Sequence, residues 1–266
     1  VSMERTNYKG RKMGIVSYAQ NFEDVMLWRA LKDVKNGFYI DVGANHPTVD
    51  SVTKAFYENG WSGINIEPEL ELYKLLKEDR PNDLNLNMAI SSKVQSIEFF
   101  VSSVRGWSTT DKNSANNLKE KDSFSEIRTV KAISLDNLCE DNDLKEVHFL
   151  KIDVEGAEKD VLESFSFDSV RPWICVVEAT KPTTTIDVST EWEDILISNK
   201  YIYAYFDGLN KYYAAEEHGD LVAIMKNPPN VFDEFILANH RDAIVNMDEA
   251  ETKASEAETK ASEAET

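Results

Sequence analysis

Four apolar stretches that each run into a carboxylate constrain this chain most: FYIDV (residues 38–42), GINIEP (63–68), VHFLKIDVEG (147–156) and WICVVEA (173–179). Phe, Tyr, Ile and Val are strong strand formers, and near-continuous apolar runs of this length belong to strands buried on both faces. Helical patterns separate them. One helix is expected over about 52–59, capped by Asp50 or Ser51 and stopped by Gly60; others read as ELELYKLLKED (69–79) and AEKDVLESF (157–165). Strands alternating with helices imply parallel βαβ units, and in such open sheets ligands bind outside the carboxyl ends of the strands. Asp41, Glu67, Asp153 and Glu178 all fall on that edge. A core has no need of four carboxylates there.

The rest of the chain extends this pattern. VSYAQNFEDVMLWRAL (16–31) carries Phe22, Val25, Met26 and Leu31 at helical spacing, with Asn21 as the expected N-cap and Glu23 and Asp24 at the positive end of the dipole. LNLNMAI (84–90) is expected as a strand, and QSIEFFV (95–101) and RTVKAI (128–133) as neighbouring strands. Residues 105–126 are polar, which at that length means a lid, a binding loop or disorder. EWEDILISN (191–199) reads as a helix, and YIYAYF (201–206) with DLVAIM (220–225) as a closing hairpin. From Ala250 the chain repeats AETKASE, with Ala250, Ala254, Ala257, Ala261 and Ala264 at the coiled-coil spacing of four and three. Alanine seams bury little area, so this tail reads either as a coiled coil or as a solvated linker helix. The expected organisation is an N-terminal helical segment (1–36), an α/β domain (37–240) and the start of a heptad repeat (241–266).

Charge and cysteine usage exclude several classes. A net charge of −19 argues against sequence-independent binding to nucleic acid phosphates, which needs a basic face. Cys139 and Cys175 are the only cysteines, too few for a disulfide framework or a Cys-ligated zinc site, and are expected as buried thiols in a cytoplasmic, reducing setting. No apolar run approaches the ~20 residues of a membrane helix. The chain starts at Val1 and ends in mid-repeat, which is expected of a piece of a longer protein whose heptads self-associate or lead to further domains, such as a glycosyltransferase.

The strand-tip motifs narrow the ligand. Asp41-Val-Gly43-Ala-Asn45 has one glycine rather than the GxGxxG on which a pyrophosphate sits, so a ligand without a diphosphate is favoured over NAD. Gly43 lets backbone approach a ligand closely. Glu67-Pro68, one βα unit later, is placed to accept hydrogen bonds from a ribose diol. His46 has a side chain suited to base work near neutral pH, or serves only to hold its own turn. Trp107, Ser108 and Thr109 suit the face and polar edge of a sugar, or form a surface loop with one anchoring Trp. Asp207 and Asn210 either help form an acceptor pocket or mark a β-turn at Asp-Gly.

IDVGANHP (40–47), SVTKAFYENGWSGINIEPE (51–69), SLDNL (134–138) and FLKIDVEGAEKDVL (149–162), with SYAQNFEDVML upstream, resemble the FkbM family of S-adenosylmethionine-dependent methyltransferases over roughly residues 16–227. The resemblance implies a class I methyltransferase fold, a Rossmann-like three-layer α/β sandwich with a seven-stranded, mostly parallel sheet. It implies that Asp41, Gly43 and Asn45 surround the methionine moiety, that Glu67 and Pro68 hold the ribose, and that Asn87, Met88 and Ala89 flank the adenine. Asp153 and Glu155 fall beside the sulfonium. Methyl transfer to a hydroxyl needs alignment and a base; Asp153 is the first candidate, then Glu155, Glu178 and His46. Asp153 and Glu178 are also a possible Mg²⁺ pair, although no metal-specific spacing assigns one. The expected activity is O-methylation of a sugar hydroxyl on a cell-surface glycan or its precursor. The alternatives are a small-molecule O- or N-methyltransferase and a non-catalytic scaffold module on a coiled coil.

Overall fold

The apolar runs become the centre of one seven-stranded sheet. The computed structural model describes residues 7, 8, 11, 12, 14–93, 96–247, 250, 252 and 253. In chain order the sheet strands are β1 (Phe38–Val42), β2 (Ser62–Ile66), β3 (Leu84–Leu86), β4 (Phe149–Ile152), β5 (Ile174–Glu178), β6 (Tyr201–Phe206) and β7 (Asn210–Ala215). Their spatial order is β6-β7-β5-β4-β1-β2-β3. The order reverses between β1 and β4, so their carboxyl ends open the crevice where α/β sheets take ligands.

The sheet is mixed, which corrects the expected mostly parallel arrangement: four neighbouring pairs are parallel and two antiparallel. The cause is β7. It returns from β6 through a tight turn at Gly208 (φ 98°), needs no crossover helix, and inserts antiparallel between β5 and β6. The hairpin partner of residues 201–206 is therefore 210–215. DLVAIM is not a strand but the helix Asp220–Met225, because Leu221 and Met225, four residues apart, bury against Met26 and Leu27.

Successive strand residues alternate between two cores. Tyr39, Phe149 and Ile174 face the helices Glu23–Leu31 and Asp220–Met225. Ile40, Leu150 and Cys175 face Leu135–Asp141, Glu158–Glu163 and Glu193–Ser198. Both cysteines are buried free thiols.

Three other local expectations change. The N-terminal helix starts at Glu23 behind Phe22 in the left-handed region, and Asn21 is not its cap; the Asn21 amide donates instead to Asp207 O. LNLNMAI breaks at Asn87, whose amide donates to both Glu67 O and Pro68 O, and Ala89–Ile90 leaves for a small sheet with Phe124–Ile133 and Ser96–Ser102. The polar stretch after residue 105 contains the helix Lys112–Glu120, N-capped by Asp111 accepting from Ser114 N. Residues 238–247 are helical; the heptads from 254 to 266 lie outside the described residues. Among the described residues no helix is long and apolar enough to cross a membrane.

Candidate cofactor and acceptor site

A cavity opens at the carboxyl ends of β1, β2 and β4, roofed by residues 105–110. Its floor is the turn after β1. Gly43 has φ 79°, and a Cβ there would stand 1.9 Å from Asp153 O, so only glycine lets the β1 and β4 tips touch. Gly43→Ala is expected to lower unfolding free energy by at least about 2 kcal/mol, from the left-handed φ and the forced backbone shift. Urea denaturation of the variant checks this.

Glu67 is the best-built polar group in the cavity. It is buried, with Oε2 accepting from Asn45 N at 2.8 Å and Oε1 from Glu69 N at 2.7 Å. Burial pushes its carboxyl up to about 7, against the pull of those two amides. A carboxylate has about four acceptor positions, so one on each oxygen is still free for a ligand.

Lys151 ties the site together, and the sequence reading missed it. Its ammonium donates to Gly43 O at 2.9 Å and stands 3.4 Å from both Asp41 Oδ1 and Asp153 Oδ2. Burial alone would lower its pKa, but the two carboxylates outweigh that and raise it. A signal for it existed: a single lysine inside an apolar strand must find a buried acid, and β4 register places it directly opposite Asp41. Gln20, Glu69 and Arg105 also line the cavity without having been anticipated. Arg105 spans its mouth, donating to Asn45 Oδ1 and pairing with Asp50 at 2.6 Å.

Of the residues expected from sequence, Asp41, Gly43, Asn45, Glu67, Pro68, Ala89, Trp107, Ser108, Thr109, Asp153 and Glu155 line this cavity. Thr109 Oγ1 donates to Glu155 O at 2.9 Å, which fastens the roof loop to the β4 tip. The other expected residues lie elsewhere. Asn87 holds the bend after β2, and Met88 packs on the hydrophobic core. His46 Nδ1 accepts from Thr48 N and Val49 N, so this imidazole holds its own turn; burial and the Arg105 charge lower its pKa. Asp207 and Asn210 form the β6–β7 turn, where Asp207 accepts from Leu209 N, Asn210 N and the Tyr212 hydroxyl. Glu178 is buried at the end of β5 and is not among the residues that line the cavity.

A family model described as the methyltransferase FkbM domain matches residues 41–227. No curated protein matches the chain. Similar solved structures include methyltransferase FkbM from Methylobacillus flagellatus KT, at 12% identity and a TM-score of 0.41, covering 70% of this chain and 47% of that one. The chain thus spans about half the length of that protein. A TehB-like SAM-dependent methyltransferase from Corynebacterium glutamicum ATCC 13032 Kitasato follows, at 8% identity and a TM-score of 0.39, covering 73% of this chain and 87% of that one. Trm1 from Pyrococcus horikoshii with S-adenosyl-L-methionine is similar at 12% identity and a TM-score of 0.37, covering 77% and 58% respectively.

Proposed function

Because the chain belongs to the FkbM methyltransferase family, we propose that it takes the methyl group of S-adenosylmethionine and places it on a sugar hydroxyl of a cell-surface glycan or its precursor. The observation that carries the cofactor is Glu67, buried at the tip of β2 with one acceptor position left on each oxygen, beside a turn that only Gly43 can make. That donor set fits the cofactor: paired acceptors suit a ribose diol, and a glycine turn suits close backbone contact.

S-adenosylmethionine, when bound, supplies a methyl carbon activated by a positive sulfur. The chain's own residues then have two tasks, alignment of the acceptor and removal of its hydroxyl proton. Asp153 is the base in this reading, since its carboxylate is 39% exposed at the cavity edge and oriented by Lys151 at 3.4 Å. Burial, then the charges of Asp153 and Glu158, push the Glu155 carboxyl upward. Trp107 and Ser108 in the roof supply an aromatic face and a hydroxyl for the acceptor.

Calorimetric titration of S-adenosylmethionine and S-adenosylhomocysteine into the full chain tests this. Saturable micromolar binding of both is expected. No heat and no thermal shift with either ligand would overturn the reading.

A further inference from the structure

The β4 and β5 tips bring together a second polar feature at the edge of the cavity. One carboxylate oxygen each from Asp153, Glu155 and Glu178 lies within 4.8 Å of the others. Such a cluster is costly without a counter-charge, since like charges at this range repel strongly in a poorly solvated site. Lys151 offsets it only in part, because its ammonium is as close to Asp41 as to Asp153. A separate observation concerns Glu178. The residue is 6% exposed, yet its Oε2 is fully shielded and has no hydrogen-bond partner among the described residues. A buried carboxylate oxygen without a donor is destabilising, and this one belongs to the group that converges with Asp153 and Glu155.

We propose that Asp153, Glu155 and Glu178 bind one hard divalent cation of the Mg²⁺ or Mn²⁺ class through one oxygen each, which leaves the second oxygen of Asp153 to take the acceptor proton. Three oxygen ligands and no nitrogen or sulfur favour a hard cation over zinc and suit an ion that keeps several coordination positions for water or substrate oxygens. The ion would supply the missing partner of Glu178 Oε2 and remove the mutual repulsion of the trio. Resting on the methyl-transfer reading, the open positions would face acceptor hydroxyls at the cavity edge, and a vicinal diol is the acceptor chemistry that fills two of them.

The test is Mn²⁺ titrated into the full chain with neither S-adenosylmethionine nor acceptor, with free Mn²⁺ read by electron paramagnetic resonance. One Mn²⁺ per chain at sub-millimolar dissociation constant is expected, displaced by excess Mg²⁺. Glu178→Gln removes one charged ligand and should weaken binding about tenfold or more; Glu155→Gln is the second variant, with melting curves showing which variants fold. No Mn²⁺ bound at millimolar concentration, or binding that both folded variants leave unchanged, would overturn the site. Since the methyl donor is left out, Mn²⁺ binding without S-adenosylmethionine binding would sink only the methyl-transfer reading, and the reverse only the cation site.

Discussion

Replacing Glu67 by alanine is expected to weaken S-adenosylmethionine binding by roughly a hundredfold or more. A hydrogen bond to a charged acceptor contributes about 1.5–3 kcal/mol, and loss of two gives at least two decades at about 1.4 kcal/mol each. Calorimetry on the wild type and the variant reads the change; a variant that keeps wild-type affinity would remove Glu67 from the site. Melting curves must accompany it, because Asn45 N and Glu69 N lose their acceptor in the same substitution. Glu67→Gln is the sharper control. It keeps the volume, but whichever oxygen becomes an NH₂ faces one of those backbone amides, so it should bind weakly while disturbing the core less. The wild type should also bind more tightly at pH 7.5 than at pH 6. In the free protein Glu67 is raised from 4.5 to about 7 by burial, so its contribution to stability is complete below about 4.5 and is lost as pH rises through about 7. Ribose hydroxyls donate to the ionised form, so binding draws the carboxyl back down and gains from higher pH. Glu67→Gln should flatten that dependence.

The parts of the site legible in the sequence were those set by local patterning. The strands ending at Asp41, Glu67 and Asp153 show as apolar runs into an acid, and a glycine after β1 marks the turn. The misplacements came from long-range partners. Asn21 looked like a cap because it precedes an amphipathic run, but its amide serves Asp207, 186 residues away. DLVAIM is an aspartate followed by five apolar residues, a run short enough to fit either a strand or a helix, and only the face offered by Met26 and Leu27 makes it helical. Asp207 and Asn210 carry the residue types of a binding loop and spend them on their own hairpin and on Glu23 of the N-terminal helix. Glu178 was legible as a strand-tip acid; that it converges with Glu155 depends on the left-handed turn at Glu155 (φ 57°), which no local pattern announces.

Arg80 is the residue least visible in the sequence and the one whose loss should cost the fold most. In KEDRPND it reads as a solvated arginine after a helix, yet it is 0% exposed. Its guanidinium donates to Pro47 O at 2.5 Å, Ser51 Oγ at 2.9 Å and Thr53 Oγ1 at 3.1 Å, and stands 3.9 Å from Asp83. Removing one member of such a buried network leaves its partners uncompensated, at about 3–5 kcal/mol. That is a large share of the 5–15 kcal/mol typical of a whole domain. Arg80→Ala should therefore lower the urea midpoint sharply without changing the slope, and a loss under about 1 kcal/mol would refute the assignment. Arg80→Lys should fail to rescue it, because one ammonium cannot replace a planar fork spread over three acceptors. The effect should also reach the site. Thr53 Oγ1 accepts from Arg80 and donates to Asp41 Oδ2 at 2.9 Å, and Asp41 in turn faces Lys151, which holds Gly43 O and Asp153. Loosening this chain at Arg80 should move the loop between Pro47 and Thr53 that continues the turn at Gly43. At temperatures where the lysine variant remains folded, its affinity for S-adenosylmethionine should still fall, which a purely remote loss of stability would not produce.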